Sequence, residues 1–218
     1  MFSIESFYQT YNTETVVMKI GDKPFSFITP QNLDELMDTS EDSNIIFPLW
    51  VKIWESSIIL ADYLINLKKT SKKILELGAG LGITSIIAES FGYRVTSTEY
   101  DSQALKFLMA NAHINDCQTL NIQRLNWHEP DIVGQFDIIV GSELVYKESD
   151  FKPLIALFQK FLLPGGEIIL ANEPRKSLEP FLNLLKQSYH IEIRRKRLRA
   201  SDETKTILMT RLTGKNAS

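Results

Sequence analysis

The order of apolar and polar positions predicts alternating strands and helices from residue 72 to near the end of the chain. Short apolar runs, typical of buried strands, alternate with segments whose apolar residues have helical spacing. The predicted strands are KKILELG, RVTSTEY, LNIQRLNW, FDIIVGS, EIILAN, HIEIRRKRL and KTILMTRL, and the predicted helices cover residues 81–91, 102–114, 151–162 and 175–187. This alternation predicts a mostly parallel α/β sheet with helices on both faces, in which the last two strands pair antiparallel.

The first 70 residues predict an extension in front of this core. TVVMKI and FSFIT, joined by Gly-Asp-Lys-Pro, predict a β-hairpin over residues 15–29. A short helix is predicted over 31–38, and an apolar-rich helix over 55–68. With 218 residues, the chain suits one domain. We expect residues 1–70 to form the hairpin and helical extension and residues 71–218 to form the core.

Composition narrows the classes of protein that the chain can represent. The net charge is −3, so no global charge favours a nucleic-acid or membrane partner. With Cys117 as the single cysteine, an intramolecular disulfide is impossible, and the scattered histidines predict no metal site. No Lys or Arg precedes Lys19, and no apolar run approaches the roughly 18 residues of a membrane span. We expect a cytoplasmic protein.

The strongest chemical signal is the segment Glu76-Leu77-Gly78-Ala79-Gly80-Leu81-Gly82, which ends one predicted strand and opens a predicted helix. Glycines at this place allow a tight turn and a close approach of a ligand to the backbone. Glu76 suits a cationic group, such as the amino group of a methionine moiety, better than a pyrophosphate. Ile83 stands where the dinucleotide fingerprint requires its third glycine. The segment therefore disfavours a dinucleotide.

The next two predicted strands end in residues that suit an adenosine ligand. Glu99 can accept hydrogen bonds from both ribose hydroxyls, a feature that NAD and S-adenosylmethionine sites share. Asn126 can pair with the amino edge of adenine, and Trp127 can stack on the ring or wall it. A turn residue and a core aromatic are the alternatives for this pair.

The fourth predicted strand of the core ends in Gly141-Ser142-Glu143-Leu144-Val145-Tyr146. Side chains at the carboxyl end of a parallel strand face the ligand crevice, which makes Ser142 a candidate cofactor contact. A turn after the strand can bring Glu143 and Tyr146 to one rim, where a carboxylate and a phenol together hold an amine and orient its lone pair. A helix-capping Glu and a packing Tyr are the alternative.

Five segments in this order resemble the seven-strand protein lysine methyltransferases known as methyltransferase family sixteen. They are WESS at residues 54–57, ELGAGLG, TEYD, LNW and SELVY, and the resemblance covers roughly residues 45–175. It implies a Rossmann-like sheet of seven strands with the last antiparallel, S-adenosylmethionine as the cofactor, and a lysine side chain of a protein as the methyl acceptor.

The resemblance also implies a role for each motif residue. Glu76, Gly78 and Gly80 would hold the methionine end of the cofactor, Glu99 the ribose, and Asn126 with Trp127 the adenine, while Trp54 would border the cofactor and Glu143 with Tyr146 would form the acid-x-x-aromatic motif beside the transfer site. The family more often has Asp at the position of Asn126 and often at that of Glu143. Asn keeps an acceptor for the adenine amino group, and the longer Glu side chain changes the reach toward the substrate.

Other functions remain open. Methylation of a small amine or another metabolite by the same core is a second possibility. A non-catalytic S-adenosylmethionine-binding protein that acts through a partner is a third. Glu76 and the glycine spacing disfavour a nicotinamide dehydrogenase. The absence of proline from SELVY disfavours adenine methylation in nucleic acid. The basic run over residues 194–199 is expected to be a solvated strand edge, because one face of a strand cannot carry every residue of the run; contact with an acidic partner is the alternative.

Overall fold

The computed structural model describes residues 2–32, 36, 48–68, 70–200 and 203–215. The strands are β1 (Thr13–Ile20), β2 (Lys23–Pro30), β3 (Lys73–Glu76), β4 (Arg94–Glu99), β5 (Asn121–Arg124), β6 (Phe136–Ser142), β7 (Leu162–Asn172), β8 (Tyr189–Ala200) and β9 (Glu203–Gly214). The helices are α1 (Ile4–Thr10), α2 (Glu55–Leu67), α3 (Ile83–Ser90), α4 (Ser102–Ile114), α5 (Phe151–Phe161) and α6 (Leu178–Leu185).

The main sheet has seven strands in the order β5-β4-β3-β6-β7-β9-β8. β3 to β7 pair in parallel, whereas β9 runs antiparallel to both of its neighbours. The chain moves outward from β3 to β5 and then returns to place β6 on the other side of β3. At this reversal the connections leave the sheet in opposite directions, which opens a crevice at the carboxyl ends of β3 and β6. The predicted mostly parallel sheet is confirmed.

Apolar side chains of the central strands alternate between two cores. Ile74 and Val140 pack in the cluster shared with α2, α3 and α4. Leu75 and Ile139, one position along on the same strands, pack in the cluster shared with α5 and α6. Successive side chains of a strand point to opposite faces, so near-continuous apolar strands require helices on both sides. The predicted helix-covered sheet is therefore confirmed.

The predicted hairpin is present as β1 and β2, and Asn111 of α4 together with Asn115, the C-cap of that helix, fastens it to the core. Asn111 Oδ1 accepts a hydrogen bond from Ile28 N at 2.6 Å, and its Nδ2 donates to Ile28 O at 3.2 Å and to Leu81 O at 3.0 Å. Asn115, one helical turn later, makes the same pair of bonds with the backbone of Ser26. These amides satisfy backbone groups of β2 that lack a second strand. Helix α1 had no counterpart among the elements predicted from the sequence.

Element boundaries differ from prediction where glycine or a loop takes over. α3 begins at Ile83 rather than at 81, because Gly82 has φ 84° and is not helical. The predicted Pro164-Gly165-Gly166 turn lies within β7 as an irregularity, at which the pairing moves from Phe136↔Leu162 to Ile138↔Glu167. The predicted helix over 31–38 falls mostly outside the described residues. Among the residues described, no helix has both the length and the apolar character to cross a bilayer.

Candidate active site

A cavity of about 690 Å³ opens at the carboxyl ends of the parallel strands. This volume lies within the range that is typical of small-molecule and cofactor sites. Of the residues predicted from sequence, Trp54, Gly78, Gly80, Glu99, Asn126, Trp127, Ser142, Glu143 and Tyr146 line it. Glu76 is the exception. Residues distant in sequence therefore meet at this edge of the sheet.

The turn after β3 forms the floor of the cavity. Gly78 and Gly80 have φ values of 62° and 53°, in the left-handed region that side chains disfavour. A Cβ atom added at Gly78 would lie 3.0 Å from Leu144 and 3.6 Å from Trp127, both of which line the cavity. The space at this turn is therefore kept by the absence of a side chain.

Glu99, at the end of β4, presents a carboxylate to the cavity. It accepts hydrogen bonds from Gly80 N at 2.9 Å, Tyr100 N at 2.7 Å and Asp101 N at 3.2 Å. Burial raises the pKa of this carboxyl, and the three backbone donors lower it in part. The carboxylate is thereby fixed in direction, with about one acceptor site, on Oε2, left for a ligand.

Glu76 lies beneath the glycine turn rather than in the cavity wall. Its side chain is 1% exposed, and its carboxylate accepts a hydrogen bond from Ser85 Oγ in α3. Burial raises its pKa from 4.5 to about 7, against the hydrogen bonds from Ser85 and Thr84 that lower it. The structure thus places Glu76 where it supports the turn between β3 and α3, and its predicted contact with the cofactor stays a prediction.

Aromatic side chains flank the cavity. Trp54 Nε1 donates to Leu49 O at 2.8 Å, which fixes the indole at the start of α2, and the Lys52 ammonium lies 4.8 Å from its ring centroid. Trp127 stands in the loop after β5, whereas Asn126 beside it accepts at Oδ1 from His128 N at 3.0 Å. The Asn126 amide nitrogen is thus oriented by the loop, and β5 is shorter than predicted because both residues lie beyond its end.

Glu143 has an unusual backbone and a buried carboxylate. Its φ is 54°, which is rare for a residue with a side chain and is held by a hydrogen bond from its N–H to Ala171 O at 2.9 Å. The residue is 6% exposed. Oε1 accepts from Glu173 N at 2.7 Å, and Oε2 forms an ion pair with Arg175. Burial raises the pKa of Glu143, against Glu173 N–H and Arg175, which lower it.

Tyr146 lines the cavity beside Glu143, and its ring lies against Arg175. The guanidinium carbon is 4.2 Å from the ring centroid, a cation–π contact. Burial raises the pKa of the Tyr146 hydroxyl. Nothing in the sequence indicated that Arg175, which follows β7, contacts both Glu143 and Tyr146. Its partners lie about thirty positions away, so no local spacing reveals the contact.

The architecture is that of the Rossmann-like methyltransferases. The precorrin-6y C5,15-methyltransferase of Geobacter metallireducens superposes with a TM-score of 0.61 at 14% identity, over 84% of this chain and 96% of that chain. At sequence level, the family model described as lysine methyltransferase matches residues 41–188. The chain belongs to this lysine methyltransferase family.

Three curated relatives show how far the similarity extends. The chain is 32% identical to EEF1A lysine methyltransferase 3 of Mus musculus, over 65% of this chain and 65% of that protein. It is 31% identical to protein N-lysine methyltransferase METTL21A of Danio rerio, over 64% and 68%, and 28% identical to histone-arginine methyltransferase METTL23 of Xenopus laevis, over 66% and 65%. The aligned region thus spans about two thirds of each relative's length.

Proposed function

We propose that this protein is an S-adenosylmethionine-dependent methyltransferase that modifies a lysine side chain of a protein. The observation that carries the proposal is Glu143, a buried carboxylate on a left-handed backbone beside Tyr146 in the wall of the cavity. A strained backbone of this kind costs about 1 to 3 kcal/mol and is concentrated at functional sites. Membership of the lysine methyltransferase family supports the same assignment.

The cavity fits the cofactor in volume and in the chemistry of its walls. Gly78 and Gly80 leave the floor open for the methionine end, with Glu76 shaping the turn from below. The Glu99 carboxylate suits the ribose, and the aromatic and amide groups of Trp54, Trp127 and Asn126 suit the adenine; Ser142 lines the same cavity. When bound, S-adenosylmethionine supplies a methyl group on a cationic sulfur, ready for displacement by a lone pair.

The residues of the chain must then hold a neutral amine in line with the bond between the methyl carbon and the sulfur. A lysine ammonium has an ordinary pKa of about 10.4 and arrives protonated. Exclusion of water beside Glu143 and Tyr146 favours release of that proton to solvent as the amine enters the site, because burial disfavours the charged form. Glu143 attracts the ammonium and opposes this release, so its main contribution is to place the nitrogen, and the Tyr146 ring limits the positions that the nitrogen occupies. Such positioning is the larger part of catalysis in a displacement that needs no covalent enzyme intermediate.

We also propose a class of substrate and a cellular compartment for this protein. Its relatives' names support a protein substrate, with small molecules as the second candidate. We place the enzyme in the cytoplasm, because Cys117 is its single cysteine and no intramolecular disulfide can form, a pattern typical of proteins in a reducing compartment. No nucleic-acid or membrane partner is proposed.

Methyl transfer from radiolabelled S-adenosylmethionine into a lysate of the source organism tests the proposal. Label in a protein band that yields methyl-lysine on acid hydrolysis is the expected result. Label confined to small molecules would support the metabolite alternative, and methyl-arginine or methyl-histidine would change the acceptor. Glu143→Ala should lower incorporation by about a hundredfold, as loss of a positioning group can, and Glu148→Ala, an exposed acid on the following turn, should not. Cofactor binding without any transfer by the wild type would refute the proposed activity.

A further inference from the structure

Two loops at the site are joined by several contacts that local sequence does not reveal. The acceptor loop, residues 143–146, follows β6, and the bracing segment, residues 173–177, follows β7. Glu173 N donates to Glu143 Oε1 at 2.7 Å, and Ser177 Oγ donates to Val145 O at 2.6 Å. Between these two bonds, the bracing segment places Arg175 against the acceptor loop, and Arg175 O accepts from Leu178 N at 3.1 Å at the start of α6.

Arg175 contacts both acceptor-site side chains through different parts of one group. Its Nη2 pairs with Glu143 Oε2, while the guanidinium carbon lies 4.2 Å from the centroid of the Tyr146 ring. A guanidinium is planar, with donors in its plane and a face free to stack, whereas an ammonium offers only a point charge. One arginine can therefore fix a carboxylate and an aromatic ring at the same time.

The position of Arg175 relative to the cavity shows whether it contacts the substrate itself or supports the residues that do. Glu143 and Tyr146 line the cavity, and Arg175 does not. The Arg175 side chain is 21% exposed, against 4% for that of Glu143, so it lies nearer to solvent than the carboxylate with which it pairs. The guanidinium is therefore a partner of two cavity-lining side chains and is not itself part of the wall that would receive the amine.

We propose that Arg175 is a positioning residue for methyl transfer, which holds Glu143 and Tyr146 in the arrangement that receives the amine. This inference rests on the proposed function. The pairing with Arg175 also offsets the negative charge of Glu143, so the carboxylate places the nitrogen while holding the ammonium form less strongly. Each carboxylate oxygen keeps a lone pair beyond its bond to Arg175 or to Glu173 N–H, and these lone pairs are available to the substrate.

The charge of Arg175 has a consequence for the pH dependence of turnover. The groups that face Glu143 are Arg175 and Glu173 from the bracing segment, Ser56 from α2 and Tyr146 from its own loop. Arg175 lowers the pKa of Glu143, and burial raises it. Removing the cation raises that pKa further, so a larger fraction of Glu143 is protonated at a given pH. The acidic limb of the turnover profile should then move to higher pH.

Arg175→Met and Arg175→Lys test the proposal, with Arg194→Met as the control because Arg194 pairs with Glu192 away from the cavity. Turnover is measured as radiolabel incorporated into the protein band that the wild-type enzyme methylates. We expect kcat to fall by about ten- to a hundredfold in Arg175→Met, the loss that a small misplacement of reacting groups produces, with the acidic limb moved to higher pH and cofactor affinity within about twofold of wild type. Arg175→Lys should restore the position of the acidic limb more fully than it restores kcat, since lysine supplies the positive charge but not the planar guanidinium.

Hydrogen exchange of residues 143–146, measured by mass spectrometry, supplies a readout that does not need turnover. Exchange should rise in Arg175→Met and stay unchanged in Arg194→Met. If the wild type binds cofactor but transfers no methyl group, the proposed function fails while this exchange result still supports bracing by Arg175. Wild-type kcat and pH profile in Arg175→Met, or unchanged exchange in the acceptor loop, would overturn the proposal.

Discussion

Glu76 makes the stability of this protein depend on pH in a direction opposite to that of most paired carboxylates. The residue is 1% exposed, and burial raises its pKa from 4.5 to about 7. Below pH 4.5 it is neutral in both the folded and the unfolded chain, and it costs nothing. As the pH rises through 7 the unfolded chain has already ionised, while the folded protein must bury a charge. The free energy of unfolding therefore loses a contribution as the pH rises across this window.

The size of this effect follows from the interval between the two pKa values. Each pH unit of difference is worth about 1.4 kcal/mol. The interval from 4.5 to about 7 therefore corresponds to about 3 kcal/mol. Glu76→Gln resembles the neutral carboxyl in shape and keeps an oxygen that accepts from Ser85 Oγ. The variant should gain stability relative to wild type by up to about 3 kcal/mol between pH 4.5 and pH 8.

Urea unfolding at a series of pH values, followed by tryptophan fluorescence, measures the difference. The difference between the unfolding free energies of wild type and Glu76→Gln cancels the titration of the other groups, because both proteins carry those groups. Asp137→Asn provides a control of opposite sign, since hydrogen bonds from Lys72 and from Lys73 N lower the pKa of Asp137. Its contribution is fully present above its ordinary pKa of 3.8 and is lost only as the pH falls below that value, so wild type and Asp137→Asn should differ by a constant amount from pH 5 to pH 8. If the difference in unfolding free energy between wild type and Glu76→Gln stays constant from pH 5 to pH 8, the pKa of Glu76 is not raised in the folded protein.

Further predictions concern the ligand, the acceptor site and the hairpin. Glu99→Ala should weaken S-adenosylmethionine binding by about 1.5 to 3 kcal/mol in isothermal titration, and unchanged affinity would remove Glu99 from the site. Gly78→Val should abolish binding by filling the cavity floor, with a native circular dichroism spectrum; unfolding instead would show that this glycine serves the fold. Tyr146→Phe should retain more turnover than Tyr146→Ala in the labelling assay, because the ring remains. Asn111→Ala should cost about 3 kcal/mol in urea unfolding, since it strands buried backbone groups; Asn115→Ala is its less buried comparison.

Much of the fold was predictable because its determinants are local or periodic. Strand and helix patterns predicted the seven-stranded sheet, and Gly and Pro predicted the turn between β1 and β2. Helix α1 was missed, although Ser3 caps it by accepting from Ser6 N. The docking of the hairpin was also beyond prediction, because Asn111 and Asn115 look like ordinary polar helix residues until the chain brings β2 beside α4.

The type of sheet, the glycine turn and the set of side chains that gather at the strand ends could be predicted from the sequence, because the carboxyl ends of parallel strands meet at one edge. The contacts of each carboxylate became visible only in the folded chain. Glu76 lies under the turn against Ser85, whereas Glu99 faces the cavity. Glu143 is joined to Arg175, a residue of another loop. Burial and partners set the chemistry of a carboxylate, and both arise from packing between segments that are distant along the chain.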